Sequence, residues 1–270
     1  MAMPRKLLIL GAHPDDAEFH AGALSIRYRE LGYPVKWISA TDGRCGHHLE
    51  SSDQLVKRRK AEAAGSAAII GAECEVWSFP DGSLQPNLEL RHAIIREIRE
   101  YQPDLVLTHR PWDYHPDHRA LGQAVQDACY LVTVPRILPD TPALSKDPVV
   151  ASMVDLFQRP IPFCPDFVLD GTAEFEGVVD LLACHVSQVY EFLPVSFGSI
   201  EPVPNDSKKR RDWLSRWFAR SIAGRIEAFS PLLQNPPSAL LEAYEVCEYA
   251  SQLSRDSLAE LFPGCIDALA

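Results

Sequence analysis

The sequence predicts an α/β protein of Rossmann-like, three-layer architecture, with a mostly parallel sheet and a C-terminal helical extension. Two observations carry that expectation. Short β-rich runs alternate with stretches of helical periodicity through the first half of the chain, the pattern of right-handed βαβ crossovers with helices on both faces of a sheet. Polar clusters follow two of the expected strands at their carboxyl ends, where open sheets of this kind bind ligands. The 270 residues suffice to bury a full core.

Strands are read at Leu7 to Leu10, Val35 to Ala40, Glu75 to Phe79 and Asp104 to Thr108. Between them, Ala21, Leu24, Tyr28 and Leu31 recur at three- and four-residue spacing, as do Leu90, Ile94, Ile98 and Tyr101, so each stretch is a helix with one apolar face. Leu121, Val125 and Cys129 mark another helix after the fourth strand. Beyond residue 134, prolines at 135, 139, 142, 148, 160, 162 and 165 break the chain into extended pieces, of which Val149 to Val154 and Phe167 to Asp170 read as strands. Ala173 to Val186 reads as a helix and Pro194 to Pro204 as an irregular connection. From Lys208 the chain reads as helical, with Leu214, Phe218, Ile222, Ile226 and Phe229 on one stripe and Leu240, Tyr244 and Cys247 on another. The expected division is an α/β domain over residues 1–190, which holds the polar clusters, and a helical extension over 191–270 packed on the same domain.

The formal charge of −11 opposes attraction to nucleic-acid phosphates or anionic lipid, so neither nucleic acid nor membrane is expected as a partner. A small molecule is, and a homo-oligomer is left open. The basic run Lys208-Lys209-Arg210-Arg211 reads as a solvated helix end. Leu7 to Leu10 is too short for a signal-peptide core or a membrane span. Seven cysteines, odd in number, scattered and without a C-x-x-C pair, read as reduced thiols in a cytoplasm.

The first strand runs into Gly11-Ala12-His13-Pro14-Asp15-Asp16, and the fourth into His109-Arg110-Pro111-Trp112-Asp113-Tyr114-His115-Pro116-Asp117-His118. With only Gly11 available, the first turn lacks the glycines of a dinucleotide site. An Asp-Asp pair before a helix is often a plain N-cap, and nine histidines make a chance His-x-x-His common. Convergence decides for a site: two distant segments bring complementary ligands to one sheet edge. Zinc takes imidazole nitrogen and carboxylate oxygen, and a catalytic site keeps three protein ligands and an open position, which His13, Asp16 and His118 satisfy. The metal acidifies its water, Asp15 takes the proton as that water attacks a carbonyl, and His115 stabilises the charge that develops on oxygen.

The chain resembles the PIG-L or LmbE-like family of zinc-dependent N-deacetylases. The resemblance lies in Ala12-His13-Pro14-Asp15-Asp16-Ala17-Glu18 and His115-Pro116-Asp117-His118, and continues through Thr41-Asp42-Gly43-Arg44-Cys45-Gly46, Arg59-Lys60-Ala61-Glu62 and Ala183-Cys184-His185-Val186-Ser187-Gln188. It covers roughly the first 190 residues. It implies a single zinc ion on His13, Asp16 and His118, Asp15 as general base, and His115 as oxyanion stabiliser or proton donor, tuned by Asp117. Arg59 is expected to hold a sugar or its substituent, with Arg44 and Asp113 as further substrate contacts. Arg44 stands where family members often carry an acidic residue, and Phe19-His20-Ala21-Gly22 departs from the usual glycine-rich run. His47 and His48 are expected to face solvent, and His185 with Gln188 to reach the sheet edge or to hydrogen-bond in the interior.

The expected reaction is hydrolysis of an N-acetyl or other N-acyl group on an amino sugar or its conjugate. Zinc is the expected cofactor, with other divalent metals possible at the same ligands. A rival keeps the metal and makes the protein a hydratase of an unsaturated acid. Another makes it a metal-holding module without turnover.

Overall fold

Strand β1 (Leu7–Gly11) is buried along its whole length. Its alternate side chains define two interior layers, with Leu7 and Ile9 in one apolar cluster and Leu8 and Leu10 in the other. Burial on both faces is why the run is continuously apolar. The computed structural model describes residues 5–198, 201–235 and 237–268. Ser199 and Ile200, within the expected irregular connection, lie outside the described residues, as does Met1 to Pro4.

After β1 come α1 (Asp16–Glu30), β2 (Val35–Thr41), α2 (Ser52–Ile70), β3 (Glu73–Phe79), α3 (Leu88–Tyr101), β4 (Leu105–Thr108) and α4 (Pro116–Ala128). Then follow β5 (Val149–Met153), β6 (Phe167–Asp170), α5 (Phe175–Ala183), a π-helical turn over Ser187–Phe192, and α6 (Leu193–Ser196). The chain continues through α7 (Ser207–Phe229), β7 (Leu241–Val246), α8 (Arg255–Ala259) and β8 (Ile266–Asp267). One eight-stranded sheet has the order β3-β2-β1-β4-β5-β7-β6-β8. From β3 to β5 every pairing is parallel; β7 joins β5 and β6 antiparallel, and β8 joins β6 in the same way.

Helices α1, α5 and α7 cover the face that carries Leu7 and Ile9, and α3 and α4 cover the other. The fold is therefore the three-layer α/β sandwich the sequence predicts. Consecutive strands β1 to β3 lead one way across the sheet and β4 starts the other way from β1, so the switch in strand order falls between β1 and β4. Both polar clusters leave the sheet at that crevice.

Two expectations for the C-terminal part need correction. Leu240, Tyr244 and Cys247 belong to β7 and its flanks, not to a helix. Tyr244 packs in the α1-side cluster, while Leu241 and Ala243 sit in a separate one with Val168 and Phe229. The boundary at 190 also fails as a division between an α/β part and a helical one, because β7 lies inside the sheet between β5 and β6. Helix α7 does carry the expected apolar stripe, with Trp213, Leu214, Phe218 and Ile222 buried. Lys208 to Arg211 form its first turn, where Arg211 pairs with Glu176 and Asp180.

No single described helix is long and apolar enough to cross a membrane. The bent pair Phe175–Ala183 and Ser187–Ser196 meets the length and composition limits only jointly, and its Val178, Val179, Leu181 and Leu182 are core residues.

Candidate metal centre

The turn after β1 is built around close approach. A Cβ on Gly11 would stand 2.8 Å from the Asp16 Cβ, so only glycine lets the chain fold back this tightly. The Asp16 carboxylate accepts the His13 N–H at 2.7 Å and closes the turn. Asp15, between them, has φ 151° and ψ −16°, a strained conformation for a residue with a side chain. Arg59 holds it there. Its Nη2 donates to the Pro14 carbonyl at 2.8 Å and lies 3.1 Å from Asp15 Oδ1. Gly43, with φ 68°, is where α2 brings that guanidinium past the β2 turn, since a Cβ there would meet Arg59 at 2.6 Å.

The second cluster starts α4. Pro116 occupies the first turn and His115 is the N-cap, its Nδ1 accepting the Asp117 N–H at 3.2 Å. His118 thereby points back at the β1 turn. His13 Nδ1 and His118 Nε2 are 3.2 Å apart, while Asp16 Oδ2 lies 3.6 Å from His13 Nδ1 and Asp16 Oδ1 3.6 Å from His118 Nε2. Ligands on a tetrahedral zinc with bonds of about 2.0–2.1 Å are themselves about 3.3 Å apart. The two imidazole nitrogens are thus spaced for one small cation, and the Asp16 carboxylate lies 3.6 Å from each of them through a different oxygen.

Their surroundings fit it as well. His13 Nε2 faces Asp81 Oδ1 at 3.2 Å and Asp117 Oδ2 at 3.4 Å, and His118 Nδ1 faces Asp113 Oδ2 at 3.1 Å. A carboxylate stands behind each imidazole, the placement that turns the opposite lone pair toward a bound metal. Burial works against ionisation throughout, yet hydrogen bonding to the Asp117, Asp16 and Asp81 carboxylates raises His13 well above the usual imidazole range. Against the same burial, the charges of His118 and His109 hold Asp16 well below the usual carboxylate range. A pocket with this excess of carboxylate favours positive charge at its centre.

The remaining expected residues fall in different places. Asp15 and His115 flank the three donors, and the His115 ring stands edge-on to His13 at 4.5 Å between centroids. The Asp117 carboxylate does not touch His115: it accepts from Gly82 N and Leu84 N at 2.7 and 3.0 Å and faces His13. Only its backbone N–H reaches His115. Arg59 is 3% exposed and its guanidinium is held by Asp15, Pro14 and Gly43, so it positions the base and is not open to a sugar. Arg44 folds back on Asp42 within its own turn. Asp113 backs His118 and accepts the His115 N–H at 2.9 Å, which removes it from substrate contact. His47 is tied to Glu191 at 3.1 Å, whereas His48 is exposed. His185 is fully buried against Glu18 at 2.7 Å.

Two side chains absent from the sequence assignment also line the centre. His109 stacks on His118 with centroids 3.8 Å apart and sets Nε2 3.0 Å from Asp16 Oδ2. Asp81 comes from the end of β3. Both follow directly on strands, as His13 does, and that position is the signal that could have found them.

A family model described as PIG-L, GlcNAc-PI de-N-acetylase, matches residues 8–129. A protein described as uncharacterized deacetylase YaiS, from Escherichia coli, is 30% identical over 139 residues, which is 49% of this chain and 71% of that one. The chain belongs to the PIG-L family. It is 28% identical over 144 residues to a probable N-acetyl-alpha-D-glucosaminyl L-malate deacetylase of Bacillus anthracis, covering 50% of this chain and 63% of that protein. It is also 28% identical over 165 residues to a 1D-myo-inositol 2-acetamido-2-deoxy-alpha-D-glucopyranoside deacetylase of Kineococcus radiotolerans, covering 47% of this chain and 45% of that protein. The matches to these two relatives therefore span less than two thirds of their lengths.

Solved structures of low identity share the fold of this PIG-L chain. The N,N'-diacetylchitobiose deacetylase of Pyrococcus horikoshii superposes with a TM-score of 0.70 at 20% identity, over 91% of this chain and 84% of that one. GalB, a 4-carboxy-2-hydroxymuconate hydratase from Pseudomonas putida, gives 0.65 at 18% identity, over 93% and 100%.

Proposed function

We propose that this PIG-L family member is a metal-dependent N-deacetylase that removes an acetyl or related acyl group from an amino sugar or amino-sugar conjugate. The observation that carries the reading is the convergence of His13 Nδ1, His118 Nε2 and the Asp16 carboxylate, with the strained Asp15 beside them. The names of the Bacillus and Kineococcus relatives support the substrate class. Zinc is the metal whose preferences this donor set matches, one ion per chain. A small-molecule substrate and a cytoplasmic location complete the reading, the latter supported by seven free cysteines.

A divalent metal held by these residues supplies Lewis acidity, acidifying water and polarising the acyl oxygen. Asp15 takes the proton of the attacking water. Burial pushes its carboxyl up to about 6, with the Arg59 charge opposing and the Asp16 charge reinforcing, so it is ionised at neutral pH while remaining basic enough to accept a proton. Arg59 holds that carboxylate in line by fixing both Asp15 and the Pro14 carbonyl. His115 has its Nδ1 occupied as an acceptor, so its remaining N–H is on Nε2, where it steadies the negative acyl oxygen or passes a proton to the leaving nitrogen. The C–O bond forms first, and the C–N bond breaks as the tetrahedral adduct collapses and the leaving nitrogen takes a proton. One water is consumed, and an amine and a carboxylate leave.

A second reading, hydration of an unsaturated acid, is favoured by one observation, that a hydratase is built on this fold. Amine release from a panel of N-acetylated sugars and conjugates by the zinc-loaded protein tests the first reading. Stoichiometric acetate and amine, abolished by a chelator, is the expected result. No amine from any member, together with loss of absorbance from unsaturated dicarboxylates, would replace it with the second.

A further inference from the structure

Helix α1 breaks at Ala21, whose φ of −147° and ψ of 24° are not helical. The break strands the N–H groups of Ala23 and Leu24 and the carbonyl of Phe19, and the last third of the chain satisfies all three. Glu242, on β7, accepts from Ala23 N at 2.7 Å and Leu24 N at 3.0 Å. Arg225, on α7, donates to Phe19 O at 2.7 Å and places Nη2 3.1 Å from His20 Nδ1. The His20 ring stands edge-on to His109 at 5.7 Å, and His109 contacts Asp16. Arg225 is therefore two side chains from the metal-binding carboxylate, and it is part-exposed.

Its charge is not answered by the protein. Arg27, Arg58, Arg59 and Arg110 pair with Glu174, Glu191, Asp15 and Asp155. Arg99 donates to six backbone carbonyls. Arg225 has no carboxylate within salt-bridge distance among the described residues, and its two acceptors are neutral. Burial pushes its guanidinium down to about 10, with Glu242, Tyr244 and Asp155 too weakly placed to reverse it. A backbone carbonyl alone needs only a neutral donor; a cation two side chains from the Asp16 carboxylate and without a counter-ion of its own calls for an anion.

We propose that Arg225 binds a carboxylate of the substrate, so that the preferred substrates carry an anionic carboxylate on the part that flanks the acylamino group. A guanidinium recognises that group through paired, charge-assisted hydrogen bonds. The carboxylates gathered around His13, His109 and His118 repel a doubly charged phosphate more than a singly charged carboxylate. The inference rests on the deacetylase reading for its chemistry but not for binding.

The test compares zinc-loaded wild type, R225Q and R225K on two probes of matched size, the carboxymethyl glycoside of N-acetylglucosamine and its neutral carbamoylmethyl counterpart. Both kcat/KM for amine release and calorimetric affinity are measured. Wild type should favour the charged probe by at least about tenfold, the scale of a charged hydrogen bond. R225Q should lose that ratio, and R225K, which keeps the cap on Phe19 if R225Q does not fold, should retain part of it. Equal binding of both probes by wild type, no binding of the charged one, or a ratio that survives in R225Q overturns the proposal. If neither probe releases amine, the deacetylase reading fails while the binding ratio still decides for Arg225.

Discussion

Nδ1 of His13 and Nε2 of His118 face each other at 3.2 Å, and carboxylates stand behind the other nitrogen of each ring. If each outer nitrogen carries its proton toward the carboxylate beside it, both inner nitrogens present lone pairs to the same point, an arrangement that a cation relieves. Metal should therefore stabilise the fold by mass action, by about 2.7 kcal/mol when free metal is a hundred times Kd. Thermal unfolding with zinc and after chelation measures this. Superimposable curves would contradict it.

Asp113 fixes the His118 tautomer. Burial would raise its carboxyl, but the His118 hydrogen bond and charge hold it at about 2. Asp113→Asn should weaken metal affinity by about 10- to 100-fold, as loss of such outer partners does elsewhere. Competition against a chromophoric chelator reads this directly. A substrate contact would instead leave metal affinity alone and raise KM.

Arg59 and Asp15 form a buried pair, both under 10% exposed. Arg59→Ala leaves a carboxylate buried without its partner, which costs about 3–5 kcal/mol. Urea unfolding should show that loss, and the surviving folded enzyme should lose kcat more than KM because the base is no longer held. A change confined to KM would restore Arg59 as a sugar contact.

Glu242 makes stability depend on pH in the sense opposite to a salt-bridged acid. Burial raises its carboxyl from 4.5 to about 6, against the hydrogen bonds of Tyr244, Ala23 and Leu24. Between those values the folded state binds more protons than the unfolded one, so stability is fullest below pH 4.5 and falls as pH rises through about 6. Relative to Glu242→Gln, the wild type should lose about 2 kcal/mol across that window. Denaturant midpoints for both proteins at stepped pH check the sign, and a constant difference would refute it.

Strand β7 ties the C-terminal part into the sheet. A chain ending at residue 190 lacks the partner that both β5 and β6 pair with, and should not fold cooperatively. Circular dichroism and amide exchange of that fragment decide the point; a cooperative melt would make 1–190 an independent domain after all.

The legible parts of this molecule are those that depend on residues near one another in the chain. His13-Pro14-Asp15-Asp16 and His115-Pro116-Asp117-His118 each close within a single turn, so their spacing alone implied shared geometry. Partners of those motifs come from elsewhere: Asp81 from the turn after β3, and Arg59 from α2. No local pattern announces them. Arg59 looks like a surface helix residue in sequence, and only the packing of α2 on the Asp15 turn makes it internal. The error at β7 has a definite cause. Leu240, Tyr244 and Cys247 recur at helical spacing, while the true alternation is masked by Glu242, an acid that is wholly buried because it caps the broken α1.

The most direct test of the central claim is amine release from an N-acetylated sugar conjugate by wild type and Asp15→Asn at equal metal occupancy. We expect a fall in kcat of about 10²- to 10⁴-fold in the variant, with metal content kept and turnover normalised to the folded fraction, since the substitution leaves Arg59 without its carboxylate partner. Undiminished turnover in Asp15→Asn would contradict it, because Asp15 is the carboxylate assigned as the base.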